Sequence, residues 1–187
     1  GGHVDANGVL GYRLNVVAAN GTGFVDDSEL SRKIATLALD IKRSRDTTVE
    51  LNYGIYDLTQ KGYPGWFTYG QSVALPDAPD PTRVGYGQTY AGVALKNQTG
   101  SVRVKHDFGP NWHLVVGGLS QNIDRNINTP VNNLTDNAGN YTSSLANGFA
   151  PRFRITSNIG YLNGTFNTGS LRHDLVVGTT GYRATTN

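Results

Sequence analysis

The sequence predicts an all-β protein whose strands form an antiparallel up-and-down meander. Two observations carry this prediction: residues of unlike polarity alternate along several long segments, and short polar turns separate some of these segments. Such alternation is typical of a strand with two different faces. The composition agrees, because 24 Gly, 10 Tyr and no Cys are typical of a turn-rich β protein without disulfides.

The clearest repeating unit covers residues 166–182. A tight polar turn at 167–170 is followed by a strand that places Leu171, His173, Leu175, Val177 and Thr179 on one face. The opposite face carries Arg172, Asp174, Val176 and Gly178. We predict further strands of the same kind at 11–19, 32–42, 47–58, 90–108, 112–125 and 152–165, and the segment 1–5 is a candidate eighth strand. In the long 90–108 strand, a β-bulge is expected at 97–100.

The connections between these strands alternate in length. Short turns are expected at 43–46, 109–111 and 167–170, and long loops at 20–30, 59–88 and 126–150. In a meander, this alternation gathers the short turns at one rim and the long loops at the other, as in outer-membrane barrels. Seven or eight strands are few for a closed barrel. We therefore expect residues 1–187 to be a fragment of a large transmembrane outer-membrane β-barrel.

The polar face of the predicted strands suits the water-filled or plugged interior of such a barrel. It carries Arg13, Asn15, Asp40, Lys42, Glu50, Asn52, Arg103 and Lys105, which are costly in hydrocarbon. A hydrophobic content of 37% also suits a chain that is apolar on one side only. The net charge of +2 is too small and scattered to indicate nucleic-acid binding.

Four short motifs occur along the chain: Gly11-Tyr-Arg-Leu-Asn15, Asp46-Thr-Thr-Val-Glu-Leu51, His106-Asp-Phe-Gly-Pro-Asn-Trp112, and Phe166-Asn-Thr-Gly169 with Arg172, His173 and Gly178. Together they resemble the N-terminal part of the barrel of TonB-dependent ferric-siderophore receptors. The motifs follow in the family's order over nearly the whole chain. Gly62-Tyr-Pro-Gly-Trp66 resembles the aromatic segment of the hydroxamate, ferrichrome-type members. One departure is Thr180-Gly181 before Tyr182, where the family usually has an acidic residue.

The resemblance implies TonB-dependent uptake of a ferric siderophore across the bacterial outer membrane. Iron would be carried only as part of the siderophore, so no resident cofactor is expected. The implied partners are the siderophore, outer-membrane lipid and the TonB complex. TonB would act through a plug domain, which these residues do not contain.

Aromatic side chains concentrated in the predicted loop 59–88 are the candidate ligand contacts. Tyr63, Trp66, Phe67 and Tyr69 lie within a few residues of one another, and Tyr141 in the next long loop is a further candidate. Aromatic rings offer a large contact area at low entropy cost, which favours recognition. The alternative role is a membrane-interface girdle. We predict that role for Trp112, which follows a short turn.

The sequence favours no enzymatic reaction. The four His residues lack metal-ligand spacing, and no catalytic triad, phosphate loop or carboxylate pair is recognisable, so neither catalytic nor metal-binding residues are predicted. Outer-membrane lipases and proteases are a remote alternative. The main alternatives are a soluble all-β binding or adhesion module and a passive porin-like channel. In the soluble module, the apolar face would pack against a second sheet.

Overall fold

The computed structural model describes residues 1–148 and 152–186. These residues form ten strands: β1 (Gly2–His3), β2 (Leu10–Gly21), β3 (Glu29–Lys42), β4 (Thr47–Lys61), β5 (Trp66–Tyr69), β6 (Gly92–Asp107), β7 (Trp112–Leu134), β8 (Tyr141–Gly148), β9 (Phe153–Thr168) and β10 (Leu171–Thr186). Within the same two ranges, there is no helix long and apolar enough to cross a membrane.

All ten strands belong to one sheet. Eight of them follow the order β1-β2-β3-β4-β6-β7-β9-β10, and β5 and β8 both pair with β7. Neighbours along this path are antiparallel, which confirms the predicted meander. The turns β3–β4, β6–β7 and β9–β10 consequently lie at one end of the strands, which we call the short-turn rim. The connections β2–β3 and β4–β6, together with the extension of β7, lie at the other end, the long-loop rim.

Strand pairing continues without a break through residues 97–100, so the predicted bulge there is wrong. Asn97 lies opposite Tyr56 and Gly100 lies opposite Tyr53, in the same register as the rest of β4 and β6. The loss of apolar alternation that suggested a bulge has another cause. One face of the sheet is apolar near the short-turn rim and polar farther from it. Gln98 lies on this face where the polarity changes, and its neighbour on β7 is Asn122.

The segment 126–150 is not a single Asn-rich loop as predicted. β7 continues to Leu134 and the chain returns antiparallel as β8. The segment between β4 and β6 also contains a strand, because β5 runs parallel to the end of β7. Asparagine is a poor strand former in general, but here Asn132 and Asn133 are paired on both sides of β7, so tertiary pairing overrides propensity.

Aromatic rings line the apolar face at the short-turn rim. Trp112 stacks on Phe166 with ring centroids 6.3 Å apart, and Phe166 stacks on His173 at 4.9 Å. The indole of Trp112 lies directly over Gly164 on the neighbouring strand, where a Cβ atom would overlap the ring. This arrangement agrees with the interfacial position predicted for Trp112.

We expect Gly164→Ala to destabilise the protein by about 1–3 kcal/mol, because an added methyl group must displace the indole ring. Gly160→Ala is the matched control: it lies on the same face of β9, and its added Cβ would meet only ordinary contacts at 3.7 and 3.8 Å. Urea unfolding of the protein in detergent, followed by tryptophan fluorescence, measures both. Equal stability of the two variants would contradict the packing of Trp112 over Gly164.

Candidate functional site

One face of the sheet is free of Asp, Glu, Lys and Arg over a long strip. On this face, which we call the outer face, no charged residue occurs within 47–55 of β4, 112–122 of β7 or 171–181 of β10. A β-strand crosses a bilayer with about 9–11 residues when tilted. The charge-free strip therefore has the length required of a membrane-crossing strand.

The apolar side chains of the outer face have no protein layer over them. Exposed residues of this strip include Tyr12, Leu14, Val16, Leu37, Leu51, Tyr53, Val102, Val116, Leu175 and Val177. The described residues form only one sheet, so no second sheet covers these side chains. A soluble sandwich would bury such a surface. The outer face is instead suited to contact with lipid.

The opposite, inner face carries charges over the same lengths of strand. Glu50 of β4 forms ion pairs with Arg103 and Lys105 of β6, the first at 3.4 Å. Its backbone neighbour on the other side is Asp40. The side chains of Arg103 and Lys105 are about half exposed, so these ion pairs add little stability. Their importance is that they make this face compatible with water or with a polar domain.

Neutral polar side chains join the inner face between the charges. The amide of Asn15 donates to the hydroxyl of Thr36 at 3.0 Å, and the amide of Asn52 donates to Ser101 at 3.4 Å. Each bond links neighbouring strands across the sheet. The inner face is thus a hydrogen-bonded polar wall, as the sequence predicted for the interior of a barrel.

A small lobe extends this wall at the long-loop rim, where β7 lies between β5 and β8. Gly65 sets the start of β5: its amide donates to the carbonyl oxygen of Tyr86 at 3.3 Å, and a Cβ there would overlap the carbonyl of Pro130. Only glycine permits this close approach. The next residue, Trp66, is thereby held against Val131.

Trp66 lies on the side of the lobe that continues the inner face. Trp66 is paired with Val131 of β7, so the two side chains lie on the same side of the sheet. Val131 is an even number of positions from Val115 along the continuous strand β7, and Val115 lies on the inner face. Val131 and Trp66 therefore lie on the inner side as well. Trp66 is 69% exposed. This places an accessible indole above the polar wall, on the side expected to face the barrel interior.

Phe67, Tyr69 and Tyr141 come together on the other side of the lobe. The ring of Phe67 is 6.2 Å from that of Tyr141, edge to face. With residues of the covering segment 70–91, the three aromatics line a concavity of about 720 Å³. Phe67 and Tyr141 are in register with Asn132 and Leu134, which continue the outer face of β7. The five candidate residues therefore do not form one site.

Two residues that line this concavity, Tyr86 and Arg83, were not predicted from the sequence as site residues. Tyr86 contacts Phe67 edge to face at 5.2 Å, and the guanidinium of Arg83 lies 5.5 Å from the Tyr86 ring. The side chain of Asn132, only 1% exposed, donates to the carbonyl oxygen of Tyr86 at 2.9 Å and ties the covering segment to β7. A buried amide in a strand leaves no pattern that a single sequence reveals.

Tyr63 occupies a third position. Its ring packs edge to face on Phe24 at 5.1 Å, and its hydroxyl fills the space above Gly23. Gly23 in turn donates its amide to the hydroxyl of Ser28 at 2.9 Å. Tyr63 thus joins the β2–β3 loop to the β4–β5 turn.

The turn before Tyr141 is held by one carboxylate. Asp136 accepts hydrogen bonds from the side chain and the backbone amide of Asn140, and from the amide of Ala138. These bonds, those from Asn140 above all, hold the pKa of Asp136 below its usual value. The β7–β8 hairpin therefore keeps its tip at neutral pH, where Asp136 is charged.

In the parts of the chain that the structure describes, no group of three or more His, Cys, Asp or Glu residues is arranged to hold a metal ion. The closest pairing of this type is His113 Nδ1 with Asp107 Oδ1, at 2.6 Å near the β6–β7 turn. Both side chains are about half exposed.

Solved structures reveal what this sheet is similar to. The ferric preacinetobactin receptor BauA of Acinetobacter baumannii matches with a TM-score of 0.85 at 19% identity, over 96% of this chain. The fold is that of a segment of a large outer-membrane β-barrel. The ferric-catecholate import receptor Fiu of E. coli K12 matches with a TM-score of 0.74 at 17% identity, over 94% of this chain. The ferripyoverdine receptor of the Pseudomonas aeruginosa outer membrane matches with 0.70 at 16%, over 97%.

This chain spans 26%, 30% and 24% of those three proteins, respectively. No protein-family model and no curated protein sequence matches it. The likeness therefore establishes the predicted fold, a meander that forms part of a large barrel.

Substituting Leu51 and Asn52 in turn tests the assignment of the two faces. These neighbours in β4 lie on the outer and inner faces, respectively. We expect Leu51→Arg to destabilise the folded protein in lipid by about 2–4 kcal/mol, the cost of Arg at the bilayer midplane. Asn52→Arg should cost much less, because its side chain reaches a polar wall. Unfolding in lipid vesicles measures the difference, and a larger cost for Asn52→Arg would reverse the assignment.

Proposed function

We propose that this chain forms part of the barrel wall of a receptor that takes up ferric siderophores across the bacterial outer membrane. The observation that carries the proposal is the combination of a charge-free outer face with a charged inner face, in the fold of siderophore-receptor barrels. The proteins named above are receptors for ferric preacinetobactin, ferric catecholates and ferripyoverdine. Uptake would be driven by the TonB complex, acting through a plug domain outside these residues.

The inner face supports this function in a specific way. Glu50, Arg103 and Lys105 offer charged groups to whatever fills the interior, and a plug domain is a polar occupant. A passive porin-like channel would also have a polar wall, but no feature of the described residues favours it. The soluble alternative is disfavoured by the uncovered apolar outer face.

Among the candidate ligand contacts, we propose Trp66 as the principal one. A siderophore that enters the barrel from outside passes the long-loop rim, where Trp66 presents an exposed indole on the inner side. Phe67, Tyr69 and Tyr141 stay predicted contacts, but their concavity lies on the side away from this path. Tyr63 is held between two loops and would act by positioning them.

Removing Trp66 should weaken ferric-siderophore binding. In the receptor that contains this chain, we expect Trp66→Ala to raise Kd about thirtyfold, equivalent to about 2 kcal/mol for a central aromatic contact. Trp112→Ala, at the opposite rim, is the control and should leave Kd unchanged. Quenching of receptor fluorescence by the ferric ligand, or isothermal titration, measures both.

Tyr141→Ala separates the two sides of the lobe. If the siderophore binds on the inner side, this variant should keep the wild-type Kd. If Tyr141→Ala loses as much affinity as expected for Trp66→Ala while Trp66→Ala binds normally, the ligand occupies the concavity and our choice of Trp66 is wrong. Heat-modifiable gel mobility verifies that each variant is folded.

The class of siderophore is a finer proposal. Gly62-Tyr-Pro-Gly-Trp66 resembles the segment of hydroxamate-type receptors, so we propose a ferric hydroxamate as the ligand. We expect a ferric trihydroxamate to bind at least about tenfold more tightly than a ferric tricatecholate, a difference of 1.4 kcal/mol. Competition binding with the two complexes measures the ratio. Preference for the catecholate would overturn the hydroxamate assignment and leave the transport proposal in place.

A further inference from the structure

A belt of charged side chains borders the charge-free strip on its long-loop side. On six strands, the belt residue is the outward-facing charged residue nearest the charge-free strip. These residues are Lys33 on β3, Asp57 on β4, Lys96 on β6, Asp124 on β7, Arg154 on β9 and Arg183 on β10. Arg152, just before β9, adds a further cation. We call these seven residues the outer belt.

Strand pairing aligns the belt into a continuous row. Lys33 lies opposite Asp57, Asp57 opposite Lys96, and Lys96 opposite Asp124. Arg152 donates to Asp124 at 2.7 Å and extends the row. Neighbours in a register row share a face of the sheet, so all of these side chains are directed outward.

The belt follows one register row from β3 to β7 and then shifts along the last two strands. From Asp124 on β7, the first outward charge moves toward the short-turn rim to Arg154 on β9 and then to Arg183 on β10. Strands of outer-membrane barrels are tilted by about 35–45° from the membrane normal, so a level boundary crosses successive strands at successively shifted positions. The steps from β7 to β9 and β10 are shifts of this kind, and on each of its strands the belt lies directly on the long-loop side of the charge-free strip.

Cations outnumber anions in the belt by five to two, so the belt carries a net positive charge. Lys33, Lys96, Arg152, Arg154 and Arg183 stand against Asp57 and Asp124. Within residues 1–148 and 152–186, the ion pair of the belt is Arg152 with Asp124, and neither Lys33 nor Lys96 pairs with a carboxylate. Lys33, Asp57, Lys96 and Asp124 are among the residues that line a groove of about 420 Å³. The belt thus presents exposed cations, in excess over its carboxylates, beside an open groove.

We propose that the outer belt binds the phosphate groups of lipids in the outer leaflet of the membrane. A lipid headgroup is the expected partner, because the belt begins where the lipid-compatible strip ends. The phosphate of the headgroup is the expected contact, because exposed ammonium and guanidinium groups bind phosphate oxygens. The proposal requires the outer face to meet lipid, but it requires no particular siderophore.

Binding of a phosphorylated lipid to the detergent-solubilised receptor that contains this chain tests the proposal. The probe is a bisphosphorylated glucosamine lipid in micelles, compared with the same lipid without phosphate and with inorganic phosphate alone. The belt variant combines Lys33→Gln, Lys96→Gln and Arg154→Gln. We expect its Kd for the phosphorylated lipid to rise on the order of a hundredfold, from the loss of three cations near an anionic lipid surface.

The control variant combines Arg13→Gln, Arg32→Gln and Arg125→Gln on the inner face. It removes the same charge, and Arg32 and Arg125 are sequence neighbours of the belt residues Lys33 and Asp124. Its lipid affinity should equal that of wild type. The proposal is overturned if the belt variant binds as wild type does, if the control loses as much affinity, if removing the lipid phosphates has no effect, or if inorganic phosphate binds as tightly as the lipid.

Discussion

The backbone hydrogen-bond ladder that runs from β2 to β10 decides on which face every side chain lies. Because the register is unbroken, residues of β3, β4, β6, β7 and β9 that stand in one row share a face. A single bulge would have exchanged the two faces of every residue beyond it. The charge-free strip, the polar wall and the outer belt all depend on this constraint.

The sequence predicted the fold well because its signal is local. Each strand near the short-turn rim alternates in polarity, and each short turn has its own residues, such as Gly109 and Gly169 with positive φ. The prediction failed where the face itself changes character. Around Gln98 the residues of the outer face change from apolar to polar. In the sequence alone, this loss of apolar alternation resembles a break in the strand.

The long-loop rim was predicted least well, since its structure depends on distant pairing. Asn132 and Asn133 lie in a strand only because β5 and β8 flank them. The aromatic residues were recognised as a group, yet alternate residues of β5 point to opposite sides. Trp66 and Phe67 are neighbours in sequence and belong to different surfaces, a separation that composition cannot reveal.

The parallel pairing of β5 with β7 divides the connection between β4 and β6 into two unequal spans. The first, 62–65, is short and closely packed, whereas the second, 70–91, is long and meets β7 through few fixed contacts such as that of Asn132 with Tyr86. Longer insertions in an already long loop add little closure entropy. The second span can therefore diverge in length and sequence over evolution while Trp66 keeps its place on the wall.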